Sequence, residues 1–229
     1  NGNPIFFKPW MDNAFVNFKP NNNGRNAVTR IYGAGQGHAF MHVSDADRDK
    51  MQDRSYILVD SPQDLNTYQN TDIFGAGDYS GVGMRNDATA TTTIPALTPA
   101  VAQNNANGVT ASAVIDLIHG TFKDVYGASY KEGITRRTIV NVPTASTIHL
   151  TRIFGGAYGI SNDKPCDVYE SNINYFGTNA VMEGYWIPAD MDTDGNLASG
   201  GIYGGNNNAR RTLYSRMNIH TRVLQDKTK

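Results

Sequence analysis

The sequence predicts an all-β fold: a right-handed parallel β-helix (β-solenoid) with two long loop excursions. Three observations lead there. A short unit recurs five times: Ile31-Tyr32-Gly33-Ala34-Gly35, Ile73-Phe74-Gly75-Ala76-Gly77, Val125-Tyr126-Gly127-Ala128-Ser129, Ile153-Phe154-Gly155-Gly156-Ala157 and Ile202-Tyr203-Gly204-Gly205-Asn206. No stretch keeps a sustained 3.6-residue apolar period, so helix should be scarce. Charged residues are only 18% of the chain, below the roughly 25% usual for soluble domains, while Gly, Asn and Thr are abundant. Low charge suits a laddered protein, because like charges stacked on one another repel.

The recurring unit has a physical reading. A branched aliphatic residue followed by an aromatic one favours strand. The glycine that follows ends the strand, by supplying positive φ or by allowing a close backbone approach at a corner. The spacings between copies are 42, 52, 28 and 49 residues. That is too irregular for a propeller blade or a helical repeat of fixed length. It fits a coil whose strands are constant and whose loops vary. In such a stack like residues fall over like residues, so the aliphatics should ladder inside and the aromatics should stack along the axis. The alternative is a set of unrelated hairpin ends in a β-sandwich or jelly roll.

Taken in order, residues 1–26 form an N-terminal strand or cap region. Ile5, Phe6, Phe7, Trp10, Phe15, Val16 and Phe18 would pack there on the first coil or offer an aromatic ligand patch, and Pro20–Asn26 is a turn. Irregular coils occupy 27–229. Ala27–Tyr32 opens the first of them, and Ala39–Val43 and Ser55–Asp60 are strands around a charged segment, Ser44–Arg54. The first excursion, 86–112, is rich in Thr, Ala, Pro and Asn. Ile115–Gly127 then predicts strand, glycine corner at Gly120, strand, corner. Thr147–Gly155 is a variant without the middle glycine. The second excursion is 177–200, and Leu213–Leu224 begins a further rung whose closing unit is missing. That unfinished rung predicts a segment of a longer chain. No separate domain is expected.

"Strand, Gly, strand, Val-Tyr-Gly" resembles the parallel β-helix repeats of large bacterial cell-surface and secreted proteins, especially the glycine-rich surface proteins of Bacteroides-type bacteria. Phage tailspike β-helices are a more distant likeness. The resemblance runs from about Arg30 to Leu224. It implies an extracellular or bacterial cell-surface location and a non-enzymatic scaffold or adhesin segment. Its partners would be a host or cell-surface glycan or protein, or neighbouring parts of the same long chain. It brings no catalytic residue with it.

Candidate sites are few. Asp190, Asp192, Asp194 and Asn196, with Gly195 between, match the opening of an EF-hand-type calcium loop, in which alternate side chains converge on one hard cation. Gly201 stands where the bidentate Glu would be, so a further carboxylate such as Glu183 or Asp163 would have to be recruited. The plain alternative is an acidic surface turn. Tyr185 and Trp186 could stack on a sugar ring or anchor a protein, or simply pack the loop down. Asp45, Asp47 and Asp49 repeat the acidic alternation without the glycine. His38 and His42 lack a third zinc ligand. His119, His149 and His220 each follow an isoleucine and are expected at equivalent rung positions. Cys166, the one cysteine, excludes an internal disulfide and has no obvious His partner.

Other classes find less support. A net charge of −1 gives nucleic-acid binding no electrostatic basis. No apolar run approaches the ~20 residues that span a bilayer. Asn70-Thr71-Asp72 and Arg48-Asp49-Lys50 echo polygalacturonase fragments but in the wrong order, without Asp-Asp or Gly-His-Gly. Glu132, Glu170 and Glu183 are the only glutamates, and no carboxylate pair takes acid and base roles. The alternative readings are a carbohydrate-active β-helix enzyme, lyase or hydrolase, and a phage tailspike or fibre segment.

Overall fold

The computed structural model describes residues 13–20, 28–35, 54–61, 68–82, 113–160, 166–183, 200–220 and 224–226. The protein is all-β, built of parallel sheets, with no α-helix among the described residues. No helix there is long and apolar enough to cross a membrane.

The strands in chain order are β1 (Asn13–Phe18), β2 (Arg30–Tyr32), β3 (Arg54–Asp60), β4 (Asp72–Phe74), β5 (Ala113–Thr121), β6 (Asp124–Tyr126), β7 (Tyr130–Lys131) and β8 (Thr135–Val142). They continue as β9 (Thr147–Leu150), β10 (Arg152–Phe154), β11 (Tyr158–Gly159), β12 (Val168–Tyr175), β13 (Val181–Glu183), β14 (Gly201–Tyr203), β15 (Thr212–Ile219) and β16 (Leu224–Asp226). Three sheets result. The large sheet has nine strands, β1-β3-β5 followed by β8-β12-β15 on one branch and β9-β13-β16 on the other. The second sheet runs β2-β4-β6-β10-β14, and β7 pairs β11 in the third. Every one of these pairings is parallel, and the chain alternates between sheets as it advances. Parallel neighbours need long crossovers rather than hairpins, and the intervening sheet supplies them.

The five pentads fall in one ladder. Ile31, Ile73, Val125, Ile153 and Ile202 pair in register across the second sheet. Their side chains point inward, and Ile73, Val125 and Ile153 are fully buried. They meet the inward residues of the large sheet: Ile57, Ile115, Val140 and Ile173, with Val59, Leu117, Val142 and Tyr175 beside them. One residue further along each pentad, the aromatics stack. Ring centroids are 5.3 Å apart for Tyr32 and Phe74, 4.9 Å for Phe74 and Tyr126, 5.0 Å for Tyr126 and Phe154, and 4.7 Å for Phe154 and Tyr203. Their planes lie within 20° of parallel. That spacing is the strand-to-strand repeat itself.

The pentad glycines act by close approach. Among the described residues, positive-φ glycines are Gly120 and Gly133, neither of them in a pentad. At Gly33, Gly75, Gly127 and Gly155 a Cβ would instead fall within 2.1–2.7 Å of the carbonyl oxygen of the glycine one level on. The opposite wall is small to match: Ser55, Ala113, Thr138, Ser171 and Ser215 face Gly33, Gly75, Gly127, Gly155 and Gly204 respectively. The hydroxyls of Ser55, Thr138 and Ser171 donate to the carbonyls of Gly75, Gly155 and Gly204. The two sheets are thereby tied across the interior.

Several expectations shift. The corner expected at Gly120 lies at Phe122-Lys123, and β5 runs through Gly120 with φ of +121°. The second excursion, expected at 177–200, starts later, because Val181–Glu183 pairs in register with β9 and β16. Apolar Val181 and Met182 extend the branch there. The third sheet was not anticipated, since two-residue strands leave no alternation to read.

Candidate functional site

Four of the five second-sheet strands carry an outward charged residue two before the aromatic, and the fifth has Gly201 there. Those residues form a charged column: Arg30, Asp72, Asp124 and Arg152. Two carboxylates lie between two guanidinium groups, one above and one below. Asp124 is buried, and Arg152 holds it bidentately through Nε (3.0 Å) and Nη2 (2.6 Å). The Tyr126 hydroxyl donates to the same carboxylate at 3.3 Å. Asp72 has no such clamp, and its Oδ1 is buried without a hydrogen-bond partner. Burial, reinforced by the neighbouring Asp124 charge, pushes its carboxyl up to about 6 against the weaker pull of Lys123 and Arg30. Burial, then Asp124, raises the Tyr126 phenol as well.

Tyr130 and Tyr158 of the third sheet close over the aromatic column, with Tyr130 5.1 Å from Phe74 and Tyr158 5.5 Å from Tyr126. Arg30 lies 4.4 Å above the Tyr130 ring. Lys131 sits 4.5 Å from the Tyr79 ring and 3.4 Å from Asp78. The chemistry of this face follows from what is already engaged. Sugar recognition uses the flat face of a ring, and each interior ring of the column spends both faces on its neighbours. Tyr203, at the end, is 43% exposed. Asp124 is a buried carboxylate clamped by Arg152. Asp72 is a carboxyl that burial raises toward neutrality.

A second column crosses the outer face of the large sheet. Asn141 Nδ2 donates to Asp116 Oδ1 (2.7 Å), Asn174 to Asn141 Oδ1 (2.9 Å), and Asn218 to Asn174 Oδ1 (2.7 Å). Tyr56 caps Asp116 at 2.7 Å. Beside it Arg137 grips Glu170 on the adjoining strand. At the corner before β12, Asp167 is buried under Arg210 and Arg211. Burial alone would raise its carboxyl, but Arg210 and then Arg211 outweigh it and hold it below the usual range.

The sequence-predicted site residues are placed as follows. Asp190, Asp192, Asp194 and Asn196, with Tyr185, Trp186 and Asp163, lie outside the described residues, as do His38, His42, Asp45, Asp47 and Asp49. Among the described residues no group of three or more His, Cys, Asp or Glu side chains is arranged to hold a metal ion. The histidines do not share a rung position: His119 pairs with Thr147, and His149 with Thr121, two residues out of step. His119 Nδ1 lies 2.6 Å from Asp60 Oδ1, whose carboxyl His119 and Lys19 together lower. Cys166 is fully buried, 3.4 Å from Ser129 Oγ, and burial pushes its thiol up to about 11.

Both columns were missed from sequence, yet each left a trace. The charged column is the residue immediately before each of the first four pentads. The amide column is a second repeated word, apolar–Asn–apolar: Val16-Asn17-Phe18, Val140-Asn141-Val142, Ile173-Asn174-Tyr175 and Met217-Asn218-Ile219, with Ile115-Asp116-Leu117 as its acidic variant. Compared with protein-family models, with curated proteins and with solved structures, the chain matches none.

Proposed function

We propose that the chain is a right-handed β-solenoid segment of a bacterial surface or secreted protein, serving as a non-enzymatic scaffold or adhesin that presents loops on a stiff rod. One observation carries this reading: all five pentads pair in parallel, in register, with the chain visiting the large sheet between them. Backbone groups saturated from level to level resist local opening and proteolysis. Such a body suits bearing load or displaying loops. The contact surface is assigned to 184–199, with Tyr185 and Trp186 meeting a glycan or protein, and Asp190, Asp192, Asp194 and Asn196 holding calcium to stiffen the loop.

Deleting 184–199 tests it. The variant should keep the wild-type far-ultraviolet spectrum and melting profile and lose its signal on a glycan array or cell-surface binding assay. A deletion that binds as the full chain does removes this loop as the contact surface. Calcium should raise the melting temperature of the full chain and not of the deletion; a full chain indifferent to calcium and chelator removes the metal. Small-angle scattering should give an elongated particle, and a compact one counts against the rod.

Asp72 favours a second reading, a carbohydrate-active enzyme, since a carboxyl raised to about 6 beside a second carboxylate is an ordinary setting for a general acid. Product release from a panel of acidic polysaccharides, abolished by Asp72→Asn, would support it. No release across the panel would discard it.

A further inference from the structure

Two of the three terminal strands of the branched large sheet, β15 and β1, differ from its middle. Among the described residues β15 is the last strand at one end and β1 the first at the other, each paired on one side. β15 places Met217 and Ile219 in the inward columns that hold Ile173 and Tyr175 one level below. Those two are fully buried, whereas Met217 and Ile219 are 46% and 44% exposed. At the opposite end Phe15 presents one face to Tyr56 at 5.3 Å and is 50% exposed.

We propose that this end of the sheet docks a second copy of the chain, β15 of one molecule pairing parallel with β1 of the next. The register written in the columns supplies the fit. β1 lies on β3 with Phe15 over Tyr56 and Asn17 over Leu58, and β15 lies on β12 with Arg216 over Asn172 and Asn218 over Asn174. Tyr56 and Asn172 share one column through Val114 and Ile139, and Leu58 and Asn174 share the next through Asp116 and Asn141. Continuing that register brings Arg216 over the open face of the partner copy's Phe15, a cation–π placement. It brings Met217 against Val16, Ile219 against Phe18 and Ser215 against Ala14, each like with like.

The amide ladder is directional, and its direction also matches. Each Asn donates through Nδ2 toward the β1 end. Asn218 therefore turns its Oδ1 outward from the β15 edge, where an approaching Asn17 would donate. Unpaired strand edges are templates for further pairing. Because the two surfaces are different, the contact is heterologous and does not close on itself, so it propagates into a filament.

Sedimentation between about 5 and 500 µM tests the docking, a range that spans weak to moderate self-association. Wild type should grow past dimer with concentration. Arg216→Asp with Asn218→Asp alters only outward side chains of β15, and Phe15→Asp with Asn17→Asp does the same on β1. Each variant alone should be monomeric, since it keeps one competent end and lacks the matching one. Mixed in equal amounts they should give a one-to-one dimer through the two intact ends, and nothing longer. Disulfide capture is the second measurement: Asn17→Cys chains mixed with Asn218→Cys chains should cross-link to dimers under mild oxidation, while Asn218→Cys chains alone should not. The buried Cys166 stays silent in this assay. A wild type monomeric throughout the range overturns self-docking, as do single-end variants that still dimerise alone or a mixture that fails to dimerise.

Discussion

Replacing Gly127 by Ala isolates the contact on which the stacking depends. A methyl group there would lie 2.3 Å from the Gly155 carbonyl oxygen and 2.9 Å from Thr138 Cβ. An ordinary carbon–oxygen contact is about 3.3 Å or longer, so the level above must move by roughly 1 Å. That movement stretches two ladder bonds, Gly127 N–H to Phe154 O at 2.9 Å and Ala128 N–H to Gly156 O at 3.1 Å. Two weakened hydrogen bonds cost about 1 kcal/mol each. Overpacking against backbone adds about 1–3 kcal/mol. The loss should therefore be roughly 3–5 kcal/mol, a fall of about 1–2 M in the urea midpoint if m is about 2–3 kcal/mol/M. Gly205→Ala is the control, because its nearest neighbour would be 3.8 Å away. That change should be neutral or gain up to about 1 kcal/mol by restricting the unfolded chain. Urea unfolding followed by circular dichroism measures both. If Gly127→Ala falls within about 0.5 kcal/mol of Gly205→Ala, the close-approach explanation of the pentad glycine is refuted.

Further outcomes concern the two columns and the buried thiol. Asp72 keeps its proton up to about 6 in the folded chain, against 3.8 for the ordinary side chain; folding takes up a proton between these values, so its contribution falls as pH rises through that window. Asp72→Asn should be roughly 1–2 kcal/mol more stable than wild type at pH 8 and no different below pH 4, and a gain independent of pH removes the protonated-carboxyl account. Asn141→Leu removes a donor from Asp116 and the acceptor of Asn174 Nδ2, and should cost about 2–3 kcal/mol; Asn141→Asp should cost more at pH 7 and recover toward pH 4, read from thermal melts, whereas equal losses at both pH values would mean the amide ladder does not act electrostatically. The Cys166 thiol should resist Ellman's reagent in the native protein and react fully in guanidinium chloride, and rapid native labelling would contradict its burial.

How much was legible in advance depended on where a residue's neighbour lies along the chain. The pentads were readable because aliphatic, aromatic and glycine sit consecutively and serve three different needs at once. Their stacking could be inferred because five copies of so specific a word ask for one shared environment. The charged column was hidden by being mixed in sign: Arg30, Asp72, Asp124 and Arg152 share a position, not a residue type, so no repeated residue marks it. The corner at Phe122-Lys123 escaped because Gly120 is a stronger turn signal than either residue. Gly120 takes its positive φ inside β5 without ending the strand. The proposed calcium loop was legible as a motif on 190–196, which lies outside the described residues.

The two repeated words divide the work between the two long walls. In the second sheet, aliphatic–aromatic–glycine puts an apolar residue inside, a ring outside and no side chain at the corner. In the large sheet, apolar–Asn–apolar puts two apolar residues inside and an amide outside. Both words have the strand's period of two, so any copy offers the same face to whatever lies above it and below it. Loop lengths then cease to matter to the interior. Chain segments of 28 and 52 residues between pentads deliver their strands to the same register. An edge written in such words cannot distinguish the next level of its own chain from the first level of another. The asymmetry introduced by Arg216 facing Phe15, and by the one-way run of amides from Asn218 to Asp116, is what gives that edge a preferred partner and a preferred direction.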